Sequence, residues 1–193
     1  MRIERAVNYI RTLGPGLRLC IWVNGCSRGC PGCVSERLQH PDESTDVDIY
    51  QYFSGFNLDA IDGVTISGGE PFEQPGELKK LIDYLSNRGV HDILIYTGYT
   101  LLELRALKNS DIDAVLAAIS VLIDGPYMIE MDTGKGNLMG SDNQCIHYLR
   151  PEYRDVYEGY MRPLRSPEEM ILGNTLLSVG IPDQQYIKEF NKD

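Results

Sequence analysis

The chain has 193 residues, of which 28 are acidic and 18 basic, so its formal net charge is −10. That length suits one compact domain, and hydrophobic and charged fractions of 42% and 24% are those of a globular protein. The acidic balance argues against a protein that binds nucleic acid through its phosphates. The longest apolar stretch, residues 114–123, is shorter than the ~20 residues of a membrane helix, and the N-terminus lacks the apolar segment of a secretion signal. We therefore expect a cytoplasmic protein with no nucleic-acid or membrane partner.

Strand-like runs alternate with helical patterns over the first two thirds of the chain. The sequence predicts β-strands at residues 17–23, 64–67, 93–96 and 121–124. Between them apolar residues recur at helical spacing, which predicts helices at residues 76–85, at 100–107 and from about 112. Continuous Val/Ile/Leu strands separated by helices are typical of parallel βαβ units. The pattern therefore predicts an α/β fold in which all strands end at one edge of the sheet.

Residues that could take part in binding or catalysis follow each predicted strand. They are a cysteine-rich loop after the first strand, Gly68-Gly69-Glu70 after the second, Thr97-Gly98 after the third and Asp124 after the fourth. Because α/β proteins bind ligands at the carboxyl ends of their strands, we expect these residues to form one site.

The cysteine loop has the pattern Cys-x3-Cys-x2-Cys, made by Cys26, Cys30 and Cys33. Three thiols this close, in a reducing compartment, indicate a metal centre rather than disulfides. Glycine and proline residues between the cysteines allow the loop to direct all three thiols towards one metal centre. Three ligands are one fewer than an iron–sulfur cubane usually has, which leaves one iron open to a ligand. The alternative is a structural zinc site in which His40 is the fourth ligand.

The Cys-x3-Cys-x2-Cys loop directly after a strand resembles the cluster signature of the radical S-adenosylmethionine (SAM) superfamily. In that superfamily three cysteines hold a 4Fe-4S cluster, and the open iron binds the amino and carboxylate groups of SAM. The resemblance implies that Cys26, Cys30 and Cys33 are the cluster ligands. The form Pro31-Gly32-Cys33 is similar to that of the short activases of anaerobic ribonucleotide reductase.

Four later stretches are similar to motifs of the same activases. Ser67-Gly68-Gly69-Glu70 resembles the Gly-Gly-Glu motif that binds the SAM amino group, and residues 96–99 resemble Trp-Thr-Gly-Tyr. Residues 121–125 resemble Val-Leu-Val-Asp-Gly. Residues 140–144 resemble the end of Arg-Gly-Ser-Ser-Asn-Gln, with Met139 in place of the arginine and Asp142 in place of the second serine. The resemblance implies a cofactor-binding set of Gly68, Gly69, Glu70, Thr97, Asp124 and Asn143.

Upstream, residues 14–18 match Gly-Pro-Gly-x-Arg of these activases, which implies that Arg18 lines the active-site edge. The two isolated cysteines, Cys20 and Cys145, are predicted to be buried thiols.

The resemblance also implies a fold, a partial (β/α) barrel of the radical SAM type. A complete barrel needs about 250 residues, so this shorter chain would leave a gap in the wall. We expect residues 1–149 to form the core domain and residues 150–193 to form an extension packed on it. Within the extension, residues 171–177 predict a hairpin with a Gly-Asn turn and residues 183–190 a closing helix.

The activity implied by the resemblance is reductive cleavage of SAM at the cluster and formation of a glycyl radical. The implied protein substrate is the large subunit of anaerobic ribonucleotide reductase, and the implied electron donor is a flavodoxin or a ferredoxin. A radical SAM activase or maturase of a different protein or peptide is the first alternative, because the extension has no counterpart in the shortest activases. A zinc-bound Cys3His interaction module is the alternative from another class.

Overall fold

The computed structural model describes residues 1–162 and 164–183, which form a mixed α/β fold around a six-stranded sheet. The strands lie side by side in chain order: β1 (Ile3–Ile10), β2 (Arg18–Val23), β3 (Gly63–Gly68), β4 (Ile93–Tyr96), β5 (Val121–Asp124) and β6 (Cys145–Tyr148). Strands β2 to β5 pair in parallel, whereas β1 and β6 join the two edges antiparallel. The four predicted parallel strands are confirmed; the two antiparallel edge strands were not predicted.

Four helices cover one face of this sheet. They are α1 (Ile49–Phe53), α2 (Pro75–Asn87), α3 (Leu101–Ala106) and α4 (Ser110–Ala118). Their buried side chains pack with alternate residues of β2 to β5, such as Ile21, Ile66 and Ile95, in one large apolar cluster. Helix α3 begins at a capping box in which Thr100 and Glu103 exchange hydrogen bonds. No helix within the described ranges is long and apolar enough to cross a membrane.

The C-terminal residues cover the opposite face. A hairpin of β7 (Glu168–Leu172) and β8 (Thr175–Val179) packs on Cys20, Trp22 and Tyr96, and helix α5 (Arg154–Tyr160) packs on β4 and β5. Gly173 takes a φ of 60° at the hairpin turn, which confirms the predicted Gly-Asn turn. Except for Asp183, the predicted closing helix lies outside the described residues.

Arg18 does not lie where the resemblance implies. It starts β2, so it stands at the amino end of the strand, and its side chain is fully buried. Its guanidinium donates to Thr65 Oγ1, Asp92 Oδ2 and the Val64 carbonyl, each at 2.7 Å. The expectation that Arg18 lines the active-site edge is therefore wrong, because that edge is at the other end of the strand.

Candidate functional site

A pocket of about 320 Å³ opens at the carboxyl edge of the sheet, a volume in the ~300–1,000 Å³ range of small-molecule sites. The loops after β2, β3 and β4 form one side, and residues from the hairpin β7–β8 form another. Seven of the residues predicted from the sequence line it: Cys26, Cys30, Cys33, Gly68, Gly69, Glu70 and Thr97. The prediction that the strand ends contribute to one site therefore agrees with the geometry at these seven positions.

The cysteine loop is closed on itself by main-chain hydrogen bonds. Cys26 N donates to the Gln39 carbonyl at 2.9 Å, and Cys33 N donates to the Cys30 carbonyl at 3.2 Å. Glycines at positions 29 and 32 take positive φ values of 59° and 71°, which turn the chain between the thiols. All three thiols are free and partly buried. Burial raises the pKa values of the Cys26 and Cys33 thiols, and a bound cation reverses this because coordinated thiols lose their protons.

The three thiols of the cysteine loop lie at one pocket. Within residues 1–162 and 164–183, no three His, Cys, Asp or Glu side chains are placed to ligate one metal ion. The three cysteines nevertheless line the same pocket, as ligands on three corners of a larger iron–sulfur cubane would. His40, the fourth ligand of the zinc alternative, is exposed and is not among the residues that line this pocket.

Gly68 and Gly69 let the second loop pack directly against the first. A Cβ at Gly68, whose φ is 107°, would lie 2.5 Å from the main chain of Val23. A Cβ at Gly69 would lie 2.3 Å from the Gly25 carbonyl oxygen. Main-chain bonds from Gly69 N to Val23 O (2.7 Å) and from Glu70 N to Gly25 O (2.8 Å) join the loops. Only glycine fits at both positions, because a Cβ at either would overlap main chain of the first loop or of β2.

Glu70 connects the second loop with the third. Its Oε1 accepts from Phe72 N at 3.0 Å and from Thr97 Oγ1 at 2.8 Å, and its Oε2 accepts from Gly98 N at 2.7 Å. Burial raises the carboxyl pKa to about 7, although the three donors act in the opposite direction. Because each carboxylate oxygen has two acceptor positions, Oε2 keeps one for a further donor.

The other predicted cofactor residues lie at the same edge but play different parts. The Thr97 hydroxyl is used within the protein, since it donates to Glu70 and accepts from Tyr99 N at 3.1 Å. Asp124 is buried, and its Oδ2 accepts from Leu101 N at 2.6 Å and lies 2.9 Å from His147 Nε2. Asp124 is not among the residues that line the pocket; its neighbour Gly125 is.

Asn143 also lies outside the pocket lining. Its Nδ2 donates to the Pro126 carbonyl at 2.8 Å, while its buried Oδ1 has no hydrogen-bond partner among the described residues. The neighbouring Gln144 does line the pocket, and it fixes the loop by accepting from Gly140 N at 2.7 Å.

Sequence reasoning missed several residues of this site. Arg28 lies between the first two cysteines, lines the pocket and stacks 4.7 Å from the ring centroid of Tyr99. Glu73 accepts from both the main-chain N and the hydroxyl of Ser27, which ties the cysteine loop to the turn after Glu70. An arginine inside a Cys-x3-Cys loop was visible in the sequence, whereas the contact of Glu73 with Ser27 depends on the folded chain.

The two isolated cysteines differ from each other. Cys20 is 1% exposed, and burial raises its pKa to about 12, which confirms the predicted buried thiol. Cys145 is exposed, so its predicted burial is wrong. It begins the edge strand β6, which has only one neighbouring strand to cover it.

Comparison with known proteins gives the chain a family. Residues 12–147 match the model of the 4Fe-4S single cluster domain. A protein of Escherichia coli (strain K12) named anaerobic ribonucleoside-triphosphate reductase-activating protein is 32% identical over 145 residues, which cover 71% of this chain and 92% of its own length. Proteins of the same name from Pasteurella multocida (strain Pm70) and Enterobacteria phage T4 are 33% and 29% identical to this chain. Each match covers 69% of this chain, and the matches cover 89% and 85% of the two relatives. The chain therefore belongs to the 4Fe-4S single-cluster family and, within it, to the group of anaerobic ribonucleoside-triphosphate reductase-activating proteins.

Proposed function

We propose that this protein is a radical SAM activating enzyme that generates a glycyl radical on anaerobic ribonucleoside-triphosphate reductase. The observation that carries the proposal is the single pocket in which three free cysteines face Gly68, Gly69 and Glu70. The iron–sulfur family model and the names of the relatives support the same chemistry. We further propose that the enzyme works in the cytoplasm, where a flavodoxin or ferredoxin supplies the electron.

Cys26, Cys30 and Cys33 would hold the 4Fe-4S cluster, and the adjacent loop would hold SAM. When bound, the cluster and SAM together supply the electron and the carbon radical that removes a hydrogen atom from a glycine of the protein substrate. Gly68 and Gly69 line the pocket, and the space that a Cβ would take at each is filled by main chain of Val23 or Gly25. Neither residue has a side chain, so what they would present to SAM is main chain.

Glu70 would orient the amino group of SAM with the free acceptor position of its Oε2. Thr97 would act as a positioning residue, because its hydroxyl already holds Oε1. Placing an ammonium group beside this buried carboxyl favours its charged form. Asp124 and Asn143 remain proposed cofactor-binding residues. Asp124 would act through Gly125, which lines the pocket, and Asn143 by holding the Pro126 carbonyl in the same loop.

A partial (β/α) barrel is the fold that we propose for this core. Strands β2 to β5 follow one another in chain order, and helices α1 to α4 all pack on one face. Doubly wound sheets carry the helices that connect their parallel strands on both faces. Here the connecting helices all lie on one face and, among the described residues, only α5, which follows the last strand of the sheet, lies on the other, which favours a curved, singly wound sheet. We also propose the division into a core of residues 1–149 and an extension of residues 150–193.

The extension favours a second candidate, the same chemistry directed at a different protein or peptide. Residues 177–182 form part of the pocket wall, and they lie beyond residue 147, where the family match ends. A wall that the matched region lacks could select another substrate. The zinc module has no such support, because the matched family is an iron–sulfur family.

The test of the proposed function compares Cys30→Ala with Cys145→Ala in protein reconstituted with iron and sulfide without oxygen. Cys30→Ala should lose the visible absorbance of the cluster and dithionite-dependent SAM cleavage, because it removes a ligand from the pocket. Cys145→Ala should keep both, because its thiol is exposed and is not among the pocket-lining residues.

Electron paramagnetic resonance with added reductase then separates the two candidates. A glycyl radical on the reductase supports the first, whereas SAM cleavage without that radical supports the second. Normal SAM cleavage by Cys30→Ala would refute both candidate functions, because each requires the cluster.

A further inference from the structure

We propose that the hairpin β7–β8 and the residues that flank it, together residues 164–183, form a lid over the pocket that must leave when the protein substrate enters. We further propose that Arg165 is the latch that holds this lid closed. The inference rests on the proposed function, since it concerns how a polypeptide reaches the same site.

The lid forms one wall of the pocket. Leu177, Val179 and Pro182 line it together with all three cysteines of the predicted cluster loop. With this wall in place the pocket measures about 320 Å³, which is at the lower end of sites that hold a single small molecule. A cofactor therefore leaves no room for a polypeptide segment, and a protein substrate needs a wider opening.

The lid is attached by one isolated main-chain bridge, between Leu164 and Lys135, and by side chains. Strands β7 and β8 form their own two-stranded sheet, and within the described residues no ladder joins them to the central sheet. Val179 inserts beside Trp22 and Tyr96, whereas Ile171 and Leu176 on the outer side are 76% and 50% exposed. An element with few buried contacts and no shared ladder opens at low free energy.

Arg165 supplies the strongest attachment. Its Nη1 lies 2.8 Å from Asp132 Oδ1, and the two side chains are only 3% and 1% exposed. Nη2 donates to the carbonyls of Met139 and Gly140 at 3.0 and 2.8 Å, and Nη1 donates to the Pro182 carbonyl at 3.0 Å. One guanidinium therefore joins both ends of the lid to the loop after β5.

Arg165 contacts a position at which this chain departs from the motif of the activases. Met139 stands where the resemblance expects an arginine, and its carbonyl is held by an arginine from the extension instead. The family match ends at residue 147, so the lid and its latch lie outside the matched region.

The first experiment measures hydrogen exchange of residues 164–183 in the reconstituted full-length enzyme. Arg165→Met should raise amide exchange in the hairpin by about tenfold or more, because it leaves the buried carboxylate of Asp132 without its cationic partner. Arg162→Met is the matched control: it removes an exposed arginine whose side chain, within the described residues, hydrogen-bonds to the carbonyls of Gly159 and Met161. Equal hairpin exchange in the two variants would overturn the latch.

Trp22 gives a second readout, because it is the one tryptophan of the chain and packs beneath the hairpin. Opening of the lid should shift its emission to longer wavelength and raise its quenching by acrylamide. If Arg165→Met does not fold, Arg165→Lys keeps a charge beside Asp132 but loses the fork that holds several carbonyls. It should give an intermediate shift, and an unshifted spectrum would count against the latch.

The second experiment adds the reductase to the wild-type enzyme in the presence of SAM. Loss of exchange protection in residues 164–183 on binding supports the lid. A glycyl radical formed while the hairpin keeps its protection would overturn the lid and leave the proposed function intact. Failure of SAM cleavage and radical formation would refute the proposed function, whereas the comparison of Arg165→Met with Arg162→Met would still decide the latch.

Discussion

Glu70 connects three loops of the site: its buried carboxyl joins the second and third loops, and its main-chain N–H donates to the first at the Gly25 carbonyl. It is 1% exposed, and donors from two loops, Phe72 N, Thr97 Oγ1 and Gly98 N, surround it. Burial outweighs these donors and raises the pKa to about 7. The sequence predicted a carboxylate here, but its direct neighbours and its burial emerge only from the fold, because Gly98 and Thr97 are 27 or more positions away.

The raised pKa predicts how stability depends on pH. Between the ordinary value of 4.5 and the folded value of about 7, the native state keeps a proton that the unfolded chain releases. The contribution of Glu70 is therefore fully present below pH 4.5 and is lost as the pH rises through 7, by on the order of 3 kcal/mol.

Urea unfolding of the cluster-free, reduced protein at several pH values, compared with Glu70→Gln, measures this contribution. The variant cannot titrate at this position, so the wild type should lose stability relative to it between pH 4.5 and 7. Parallel curves for the two proteins would contradict the assignment. Histidines and other carboxyls titrate in both proteins and cancel in the difference.

At the scale of elements, the site depends on how closely the loops after β2 and β3 approach each other. The Gly-Gly pair was predicted to admit a ligand, and the structure adds that it also admits the neighbouring loop. Gly69 lies against the main chain of Gly25, which is part of the turn that leads into the cysteine loop. A change at this contact should therefore disturb the fold and the cluster together.

Gly69→Ala tests this contact. The added methyl would meet main-chain atoms of Gly25 at 2.3–2.9 Å, and backbone cannot move aside as a flexible side chain can. We expect a loss of about 1–3 kcal/mol in the free energy of unfolding and reduced iron incorporation. Gly55→Ala is the control, since nothing lies within 4 Å of its added Cβ; it should change stability by less than about 0.5 kcal/mol. Equal stability and equal iron content in the two variants would refute the proposed contact.

The strands show which elements a sequence pattern can predict. Strands β2 to β5 are buried on both faces, so they consist of continuous apolar runs that stand out. Strand β1 mixes charged and apolar residues and shifts register twice, and β6 has only four residues. Edge strands like these have one unpaired side and a weaker pattern, which is why both were missed.

At the scale of the whole molecule, the placement of the C-terminal extension could not be predicted. Its hairpin was predicted from the Gly-Asn turn, which is local information. The face on which it packs depends on side chains far apart in the chain, such as Val179 beside Cys20. Arg18 was misplaced for a related reason: its motif indicated a function, but only the strand register shows that it lies at the amino end of β2.

The amino end of the sheet carries a buried network that links the extension to the core. Arg18 pairs with Asp92 at 2.7 Å, and the hydroxyl of Tyr157 in α5 donates to the other oxygen of Asp92 at 2.8 Å. The Tyr157 side chain is fully buried. Since Tyr157 belongs to the proposed extension, this contact predicts that α5 unfolds together with the parallel sheet.

Tyr157→Phe measures that linkage. It keeps the ring in place but leaves an oxygen of Asp92 without its donor, so the free energy of unfolding should fall by about 1.5–3 kcal/mol. Tyr50→Phe is the matched control, because Tyr50 is 61% exposed and keeps its ring contact with Tyr84; its effect should stay within about 0.5 kcal/mol. A single unfolding transition, shifted as a whole in Tyr157→Phe, would show that α5 unfolds with the sheet. Two separate transitions, with only the smaller one shifted, would show instead that α5 is an independent unit and that the network at the amino end does not stabilise the core.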